Sequence, residues 1–190
     1  MNISELLNLG SKVLKLNNIT THQLDSELVL SNLLKKKRET LLINLNEQVS
    51  KNIIFDFEKL MIRRATKEPL AYILKKKEFW SKNFFVDRST LIPRPETELL
   101  CENIIKMFKN KNVHILDMGT GSGCIILSIL SELKGAKGTG IDISRKAIEI
   151  AKKNSNKLGL NKKVNFFNRS LEDIYGYKFD LIVSNPHQIL

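Results

Sequence analysis

The spacing of apolar residues differs between the first third of the chain and the rest, and in the first third it is helical. In the first third of the sequence, apolar residues recur three and four positions apart, which is the spacing of one face of an α-helix. Ser50 is a suitable N-cap for the third of these helices, which should end before Pro69. Residues 1–68 are therefore predicted to form a small bundle of three amphipathic helices. The apolar stripes consist of Ile3, Leu6, Leu7, Gly10, Val13 and Leu14; of Leu24, Leu28, Leu30, Leu33 and Leu34; and of Ile53, Ile54, Phe57, Leu60 and Met61.

The helical period ends at Pro69, and short aromatic runs follow it. Phe79-Trp80 and Phe84-Phe85-Val86 flank the turn-prone triplet Ser81-Lys82-Asn83. Two such runs separated by a few turn-forming residues are typical of a β-hairpin. Residues 69–95 are therefore predicted to form a hairpin linker.

From residue 96 onward the pattern alternates between short apolar runs and helical stripes. Pro95 suits the first turn of a helix, and Glu96 and Glu98 favour the positive end of its dipole. Alternating strands and helices imply a parallel, doubly wound sheet, so residues 96–190 are predicted to be an α/β domain. The predicted strands are Val113–Asp117, Lys137–Ile143, Val164–Phe167 and Phe179–Ser184, and the helices between them are Ser122–Leu133 and Arg145–Leu158.

The chain is basic, which bears on its partners. Lysine and arginine number 31 and aspartate and glutamate 20, so the formal net charge is +11. Such a balance favours RNA, ribosome-bound or acidic protein partners. The excess is mostly lysine, spread along a chain crowded with asparagine and isoleucine, which favours a compositional bias instead. The runs Lys35–Arg38 and Lys75–Lys77 are predicted to be solvated surface, and no direct contact with nucleic acid is expected.

Several classes of protein are excluded by the few cysteines and histidines and by the distribution of apolar residues. Two cysteines and three histidines are scattered along the chain, so neither a disulfide framework nor a metal site is predicted. Glu5 interrupts the apolar pattern of the N-terminus, which argues against a signal peptide. The densest apolar run, Cys124–Leu130, is too short to span a bilayer. A cytoplasmic protein without a membrane segment is expected.

A glycine-rich turn is the first motif that carries chemistry. The segment from Asp117 to Gly123 reads Asp-Met-Gly-Thr-Gly-Ser-Gly and lies between a predicted strand and a predicted helix. Glycines there let the backbone approach a ligand, with free amides at the helix N-terminus facing it. A dinucleotide fingerprint would need glycine or alanine at position 124, which is Cys124, and the Gly-Lys-Ser/Thr of a P-loop is absent. The tighter glycine spacing favours S-adenosyl-L-methionine.

Acidic residues near this loop strengthen the prediction. Asp142 ends the next strand, where a carboxylate can accept hydrogen bonds from two ribose hydroxyls. The alternative is a solvated carboxylate at a strand end. Asp117 could hold the amino group of the donor, or it could cap the loop. Cys124, at a helix N-terminus, is either an activated thiol or, as we expect, a small residue that fills space behind the loop.

The last motif is Asn185-Pro186, directly after the fourth predicted strand. Ligands of open α/β sheets bind at this end of the strands. An asparagine oxygen and a nearby backbone carbonyl can accept both hydrogens of an amide or amino group, which points the nitrogen lone pair at a methyl carbon. Catalysis would then come from orientation, without a strong base. As a bare dipeptide, Asn-Pro is also a common turn.

Taken together, these motifs resemble the bacterial release-factor glutamine methyltransferases. The resemblance runs from the N-terminal helices to Pro186. It implies a Rossmann-like class I methyltransferase sheet and S-adenosyl-L-methionine-dependent methylation of the glutamine in the Gly-Gly-Gln motif of peptide-chain release factors. The segments that carry it are Pro69–Leu74, Glu78–Trp80, Leu91–Glu98, Leu116–Cys124 and Val183–Pro186.

The resemblance also implies roles for individual residues. The helical domain and the hairpin would recognise the release factor, and the protein would act as a monomer. Asn185 and Pro186 would be the catalytic pair and would hold the substrate glutamine. The donor-binding residues would be Gly119, Thr120, Gly121, Ser122, Gly123, Asp142 and Asn185.

The chain departs from the family pattern at several positions. The family continues Pro-Tyr after Pro186, whereas this chain has His187-Gln188 and then stops after the fourth strand. A donor contact that is usually aromatic would fall near Ser170-Leu171, where no aromatic residue is present. Lys75 stands where the family usually has glycine. We therefore expect the fourth strand to be an unprotected edge and this chain to be inactive alone.

Other functions remain as alternatives. The chain could be a non-catalytic remnant that still binds release factors, or a part of an enzyme completed by a separate piece. A nucleic-acid adenine amino-methyltransferase is favoured by the net charge and disfavoured by the segment Leu91–Glu98.

Overall fold

The computed structural model describes residues 1–170, 172–174 and 176–185. The chain divides into two compact units, residues 1–74 and the residues from Lys75 onward. No helix among the described residues combines the length and the hydropathy that are needed to cross a membrane.

The first unit is a bundle of helices around one apolar core. The predicted helices are confirmed as α1, α2 and α4, and two further short helices were not predicted. A capping box begins α1, because Glu5 N donates to Asn2 Oδ1 and Asn2 N donates to Glu5 Oε2, both at 2.9 Å. The helices are α1 (Ile3–Leu16), α2 (His22–Leu34), α3 (Arg38–Ile43), α4 (Lys51–Ala65) and α5 (Leu70–Leu74).

Buried carboxylates in this unit are paired with arginines. The carboxylate of Asp25 is 2.6 Å from Arg64 Nε, and only 6% of the Asp25 side chain is exposed. Burying an unpaired charge would cost several kcal/mol, so each arginine offsets the burial of its carboxylate partner. The pairs are Asp25 with Arg64, Glu27 with Arg38, and Glu68 with Arg63.

The second unit contains an antiparallel hairpin, three longer helices and a parallel sheet. Its α/β class and its order of strands and helices confirm the predicted fold class. Its elements are β1 (Lys77–Phe79), β2 (Lys82–Phe84), α6 (Thr97–Phe108), β3 (His114–Met118), α7 (Cys124–Glu132), β4 (Lys137–Asp142), α8 (Arg145–Lys157), β5 (Val164–Asn168), a single 3₁₀ turn (Glu172–Ile174) and β6 (Leu181–Ser184).

The hairpin turn lies one residue earlier than predicted. Trp80 and Ser81 form a two-residue turn with φ of 51° and 53°, and the predicted turn residues Lys82 and Asn83 belong to β2. Positive φ at both central residues matches the twist of the flanking strands. This register buries both flanking phenylalanine rings, whose centroids are 6.2 Å apart in an edge-to-face contact between Phe79 and Phe84.

The hairpin is attached to the helices of its own unit. Trp80 N donates to Glu98 Oε1 of α6 at 2.8 Å, and the indole Nε1 donates to Glu132 Oε1 of α7 at 3.2 Å. On α8, Lys157 Nζ donates to Asn83 O at 2.9 Å. The hairpin is therefore a packed part of the second unit.

The main sheet is parallel, with strand order β5-β4-β3-β6. The four predicted strands are confirmed, with ends shifted by up to two residues. The described part of the sheet has β6 at one edge, as expected. Pro95 lies in the turn before α6 and not inside the helix, because Glu98 N donates to Pro95 O at 2.9 Å and the helix begins only at Thr97.

Candidate functional site

The carboxyl ends of three adjacent strands lie side by side at one end of the sheet. The glycine loop follows β3, Asp142 ends β4, and Asn185 follows β6. A cavity of about 460 Å³ lies at these strand ends, and its volume is typical of small-molecule sites. It is lined by Gly119, Gly121, Asp142 and Asn185 of the predicted residues, and also by Leu91, Ile141, Ile143, Arg169 and Ser170.

The glycines of the loop serve two different purposes. Gly119 has φ of +68°, and a Cβ placed there would meet no protein atom within 4 Å, so its backbone faces open space. Gly123 also has a positive φ, but a Cβ there would lie 3.1 Å from Leu127 and 3.3 Å from Ala151. Gly119 thus leaves room for a ligand, whereas Gly123 lets α7 and α8 pack closely.

One polar residue, Thr120, holds the loop from behind. Thr120 and Ser122 are buried and do not line the cavity. Thr120 N donates to Ile141 O at 2.9 Å, and its hydroxyl donates to Asp117 Oδ2 at 2.7 Å. These bonds fix the loop to β4 and to the end of β3.

Asp142 links the loop to the start of α8. Its Oδ2 accepts a hydrogen bond from Gly121 N at 3.0 Å, and its Oδ1 accepts one from Ser144 N at 2.8 Å. Both oxygens keep a second lone pair, and the side chain lines the cavity. The carboxylate can therefore hold the loop in shape and still receive hydroxyl donors from a ligand.

Asp117 is buried and holds the loop instead of lining the cavity. Burial raises the pKa of its carboxyl to about 7, although the hydrogen bond from Thr120 partly opposes the rise. Its Oδ1 has no hydrogen-bond partner among the described residues. Of the two roles left open by the sequence, the loop contact is the one present in the structure.

Asn185 borders two cavities. Ser184 pairs with Met118, and its hydroxyl donates to Met118 O at 3.1 Å, which brings Asn185 beside the beginning of the glycine loop. Asn185 lines the cavity already described and also a second one of about 470 Å³, together with Leu91 and Arg94. The other predicted catalytic residue, Pro186, lies outside the described residues.

The remaining candidates can be placed briefly. Burial raises the pKa of the Cys124 thiol to about 12, so this cysteine is not an activated nucleophile and packs against the core as expected. In the described part of the chain, no group of three or more His, Cys, Asp or Glu side chains could hold a metal ion.

Comparison with known proteins identifies the family. Residues 5–74 match the PrmC N-terminal domain, and residues 109–189 match a methyltransferase domain. A release factor glutamine methyltransferase of Buchnera aphidicola subsp. Schizaphis graminum is 40% identical over 189 residues, which cover 100% of this chain and 68% of the relative. The chain belongs to the release factor glutamine methyltransferase family. The methyltransferase match confirms the predicted class of enzyme and agrees with the predicted cofactor, S-adenosyl-L-methionine.

Other relatives are longer. A bifunctional methyltransferase of Rickettsia typhi is 37% identical over 207 residues, covering 98% of this chain and 40% of the relative. This member of the glutamine methyltransferase family therefore spans between 40% and about two thirds of the length of these relatives. The match to the solved structure of the SAM-dependent methyltransferase from Agrobacterium tumefaciens covers 58% of this chain and 39% of that protein. The TM-score is 0.50 at 20% identity, which shows a shared fold.

Sequence reasoning missed several residues of the site. Leu91 and the serine and threonine before it line the cavity, although the sequence analysis gave none of the three a role in the site. Asn154 of α8 is fully buried and bonded to the glycine loop, and only its position on the buried face of the helix could have indicated this.

Proposed function

We propose that this protein uses S-adenosyl-L-methionine to methylate the side-chain amide of the glutamine in the Gly-Gly-Gln motif of peptide-chain release factors. The observation that carries the proposal is the position of Asn185. One of the two cavities that it borders contains the glycine loop and Asp142, and the other contains Arg94 and Glu96. A donor and an acceptor bound in these cavities would meet at Asn185.

The residues of the first cavity fit the donor. Asp142 would accept hydrogen bonds from the ribose hydroxyls, and the backbone of Gly119 and Gly121 would lie along the amino-acid end. Leu91 and Ile143 supply apolar walls for the base. Thr120, Ser122 and Gly123 would act indirectly, by keeping the loop in place. When bound, the donor supplies an electrophilic methyl group on a sulfonium.

Asn185 would orient the acceptor. Its side-chain oxygen accepts one amide hydrogen of the substrate glutamine, and a nearby backbone carbonyl accepts the other, so that the nitrogen lone pair points toward the donor. No base is required before attack, because the proton can leave after the methyl group has been transferred. Pro186 would complete the acceptor contact. The expectation that this chain is inactive alone depends on Pro186 and the residues after it, and it stays a prediction.

The first unit would recognise the release factor. Its match to the PrmC N-terminal domain supports this role. The proposal also includes a cytoplasmic location, a monomeric state and a soluble translation factor as the substrate. Direct binding of nucleic acid is not part of the proposal, although the net charge of +11 makes it the competing outcome of the test.

Two measurements on the 190-residue chain test the proposal. Calorimetry should detect binding of S-adenosyl-L-methionine to the unmodified chain. Any transfer of a labelled methyl group to a release factor should be lost in Asn185→Ala and with an acceptor whose glutamine is replaced by alanine. Labelling of DNA or RNA instead of the release factor would refute the assignment, as would failure to bind the donor.

A further inference from the structure

The side chain of Asn154 is a buried polar group that joins two separate segments near the site. It lies on α8, is fully buried, and makes three hydrogen bonds to backbone atoms. Its Oδ1 accepts from Phe85 N at 2.7 Å, and its Nδ2 donates to Phe85 O at 3.0 Å and to Ser122 O at 2.9 Å. All the hydrogen-bonding capacity of the NH₂ group is used on two segments far apart in the sequence.

Each of these two segments is joined along the chain to residues that line the donor cavity. Ser122 belongs to the glycine loop. Phe85 leads through the buried Val86 to a turn at Asp87, whose Oδ1 accepts from Ser89 N at 2.8 Å. Residues 89–91 then line the cavity. A displacement at Phe85 is passed along this short turn, because the buried Val86 and the Asp87 bonds leave it little freedom.

We propose that Asn154 is a positioning residue that sets the distance between the glycine loop and the segment Ser89–Leu91, and thereby the affinity for the donor. This inference rests on the proposed function in one respect, namely that the cavity binds S-adenosyl-L-methionine. An amide is the side chain that serves here, since it offers one acceptor and two donors. A carboxylate of the same shape would place an oxygen against the two carbonyls of Phe85 and Ser122.

Other contacts keep the hairpin attached when Asn154 is changed. Lys153 Nζ lies 3.4 Å from the centroid of the Phe85 ring, and Lys157 Nζ donates to Asn83 O. Because the hairpin retains these contacts, Asn154→Asp should fold. Asn154→Ser, which removes the bonds without adding charge, is the second variant if it does not.

Two variants on α8 provide matched controls. Ser155→Ala removes a buried hydroxyl that donates to Lys152 O within the helix, and so tests the loss of a buried hydrogen bond as such. Lys157→Met removes a hairpin contact that does not reach the glycine loop. Both should leave the donor cavity intact.

The test uses the full chain and two readouts. The first is calorimetric affinity for S-adenosyl-L-homocysteine under conditions where circular dichroism shows every variant to be folded. Asn154→Asp should weaken binding about tenfold or more, the loss expected for one buried hydrogen bond or more, whereas the controls stay within about threefold. The second is hydrogen exchange without any ligand, in which amides of residues 86–91 and 119–123 should exchange faster in Asn154→Asp and Asn154→Ser only.

The outcomes separate the two proposals. If the unmodified chain binds no donor, the proposed function fails, but the exchange measurement still decides whether Asn154 holds the two segments. If the folded variants bind the donor as the unmodified chain does and show unchanged exchange in both segments, Asn154 contributes only to stability and the inference is overturned.

Discussion

Replacing Asp117 with asparagine should remove a loss of stability that the protein otherwise suffers as the pH rises. The pKa of this buried carboxyl is raised from 3.8 to about 7, mainly by burial. The folded state therefore binds the proton more tightly than the unfolded state. Between about pH 4 and pH 7 the unfolded chain releases the proton first, so the free energy of unfolding falls as the pH increases. A pKa that is higher by roughly three units in the folded state lowers the free energy of unfolding by about 4 kcal/mol once the pH is above 7.

Asparagine keeps the acceptor for the Thr120 hydroxyl and cannot ionise. Its NH₂ group would replace Oδ1, which has no partner in the described structure. The free-energy cost of burying this unbonded NH₂ group is the same at every pH. The pH-dependent part of the difference between the two proteins therefore isolates ionisation. Urea unfolding followed by circular dichroism at pH 5, 7 and 8.5 measures it, and Glu149→Gln serves as the exposed control.

The expected result is a difference in unfolding free energy that moves in favour of Asp117→Asn by about 3 kcal/mol from pH 5 to pH 8.5. The control should follow the unmodified protein. Parallel stability curves for Asp117→Asn and the unmodified protein over this range would show that the buried carboxyl does not ionise at a cost, and would refute the reasoning.

Three further predictions follow from the site and the core. Asp142→Asn removes one of two backbone hydrogen bonds, because its NH₂ group cannot accept, and takes the charge assistance from the other; donor affinity should fall roughly 10- to 100-fold by calorimetry, and unchanged affinity would contradict its role. Gly123→Ala should destabilise the protein by about 1–3 kcal/mol in urea, and by more than Gly159→Ala, which has a similar φ of +69° but open space around it; equal losses would rule out the packing argument. Arg64→Met leaves Asp25 buried and unpaired, so a loss of about 3–5 kcal/mol is expected on thermal unfolding, and a loss below 1 kcal/mol would count against it.

The elements of the second unit were predictable because their signals are local. Strands β3, β5 and β6 contain short apolar runs, whereas β4 has one large apolar residue and was predicted from its place in the alternation of strands and helices. Each helix carries a stripe long enough to show its period. The helices α3 and α5 have only six and five residues, too few to repeat a pattern. The turn at Trp80 and Ser81 was placed wrongly because neither residue favours positive φ. Burial of the two flanking phenylalanines, a tertiary effect, fixes that register.

In the site, too, residues with a local sequence signal were predictable, and residues placed by tertiary contacts were not. Asp142 ends a strand, and Gly119 and Asn185 directly follow one, so the rule that parallel strands present their carboxyl ends together sufficed to predict their proximity. The wall around Leu91 and the amide of Asn154 have no local signature. Their placement depends on contacts between Phe85 and α8, which are far apart along the chain and become visible only after the sheet and helices have packed.

The hairpin carries the only tryptophan of the chain, and this has a practical consequence. The Trp80 indole is partly buried, with its Nε1 bonded to Glu132. Its fluorescence emission depends on the polarity around the ring, so release of the hairpin into water should shift the emission to longer wavelengths. Residues 1–74 contain no tryptophan, and their single tyrosine, Tyr72, is not excited at wavelengths that only indole absorbs. The protein thus carries a built-in optical probe in its second unit.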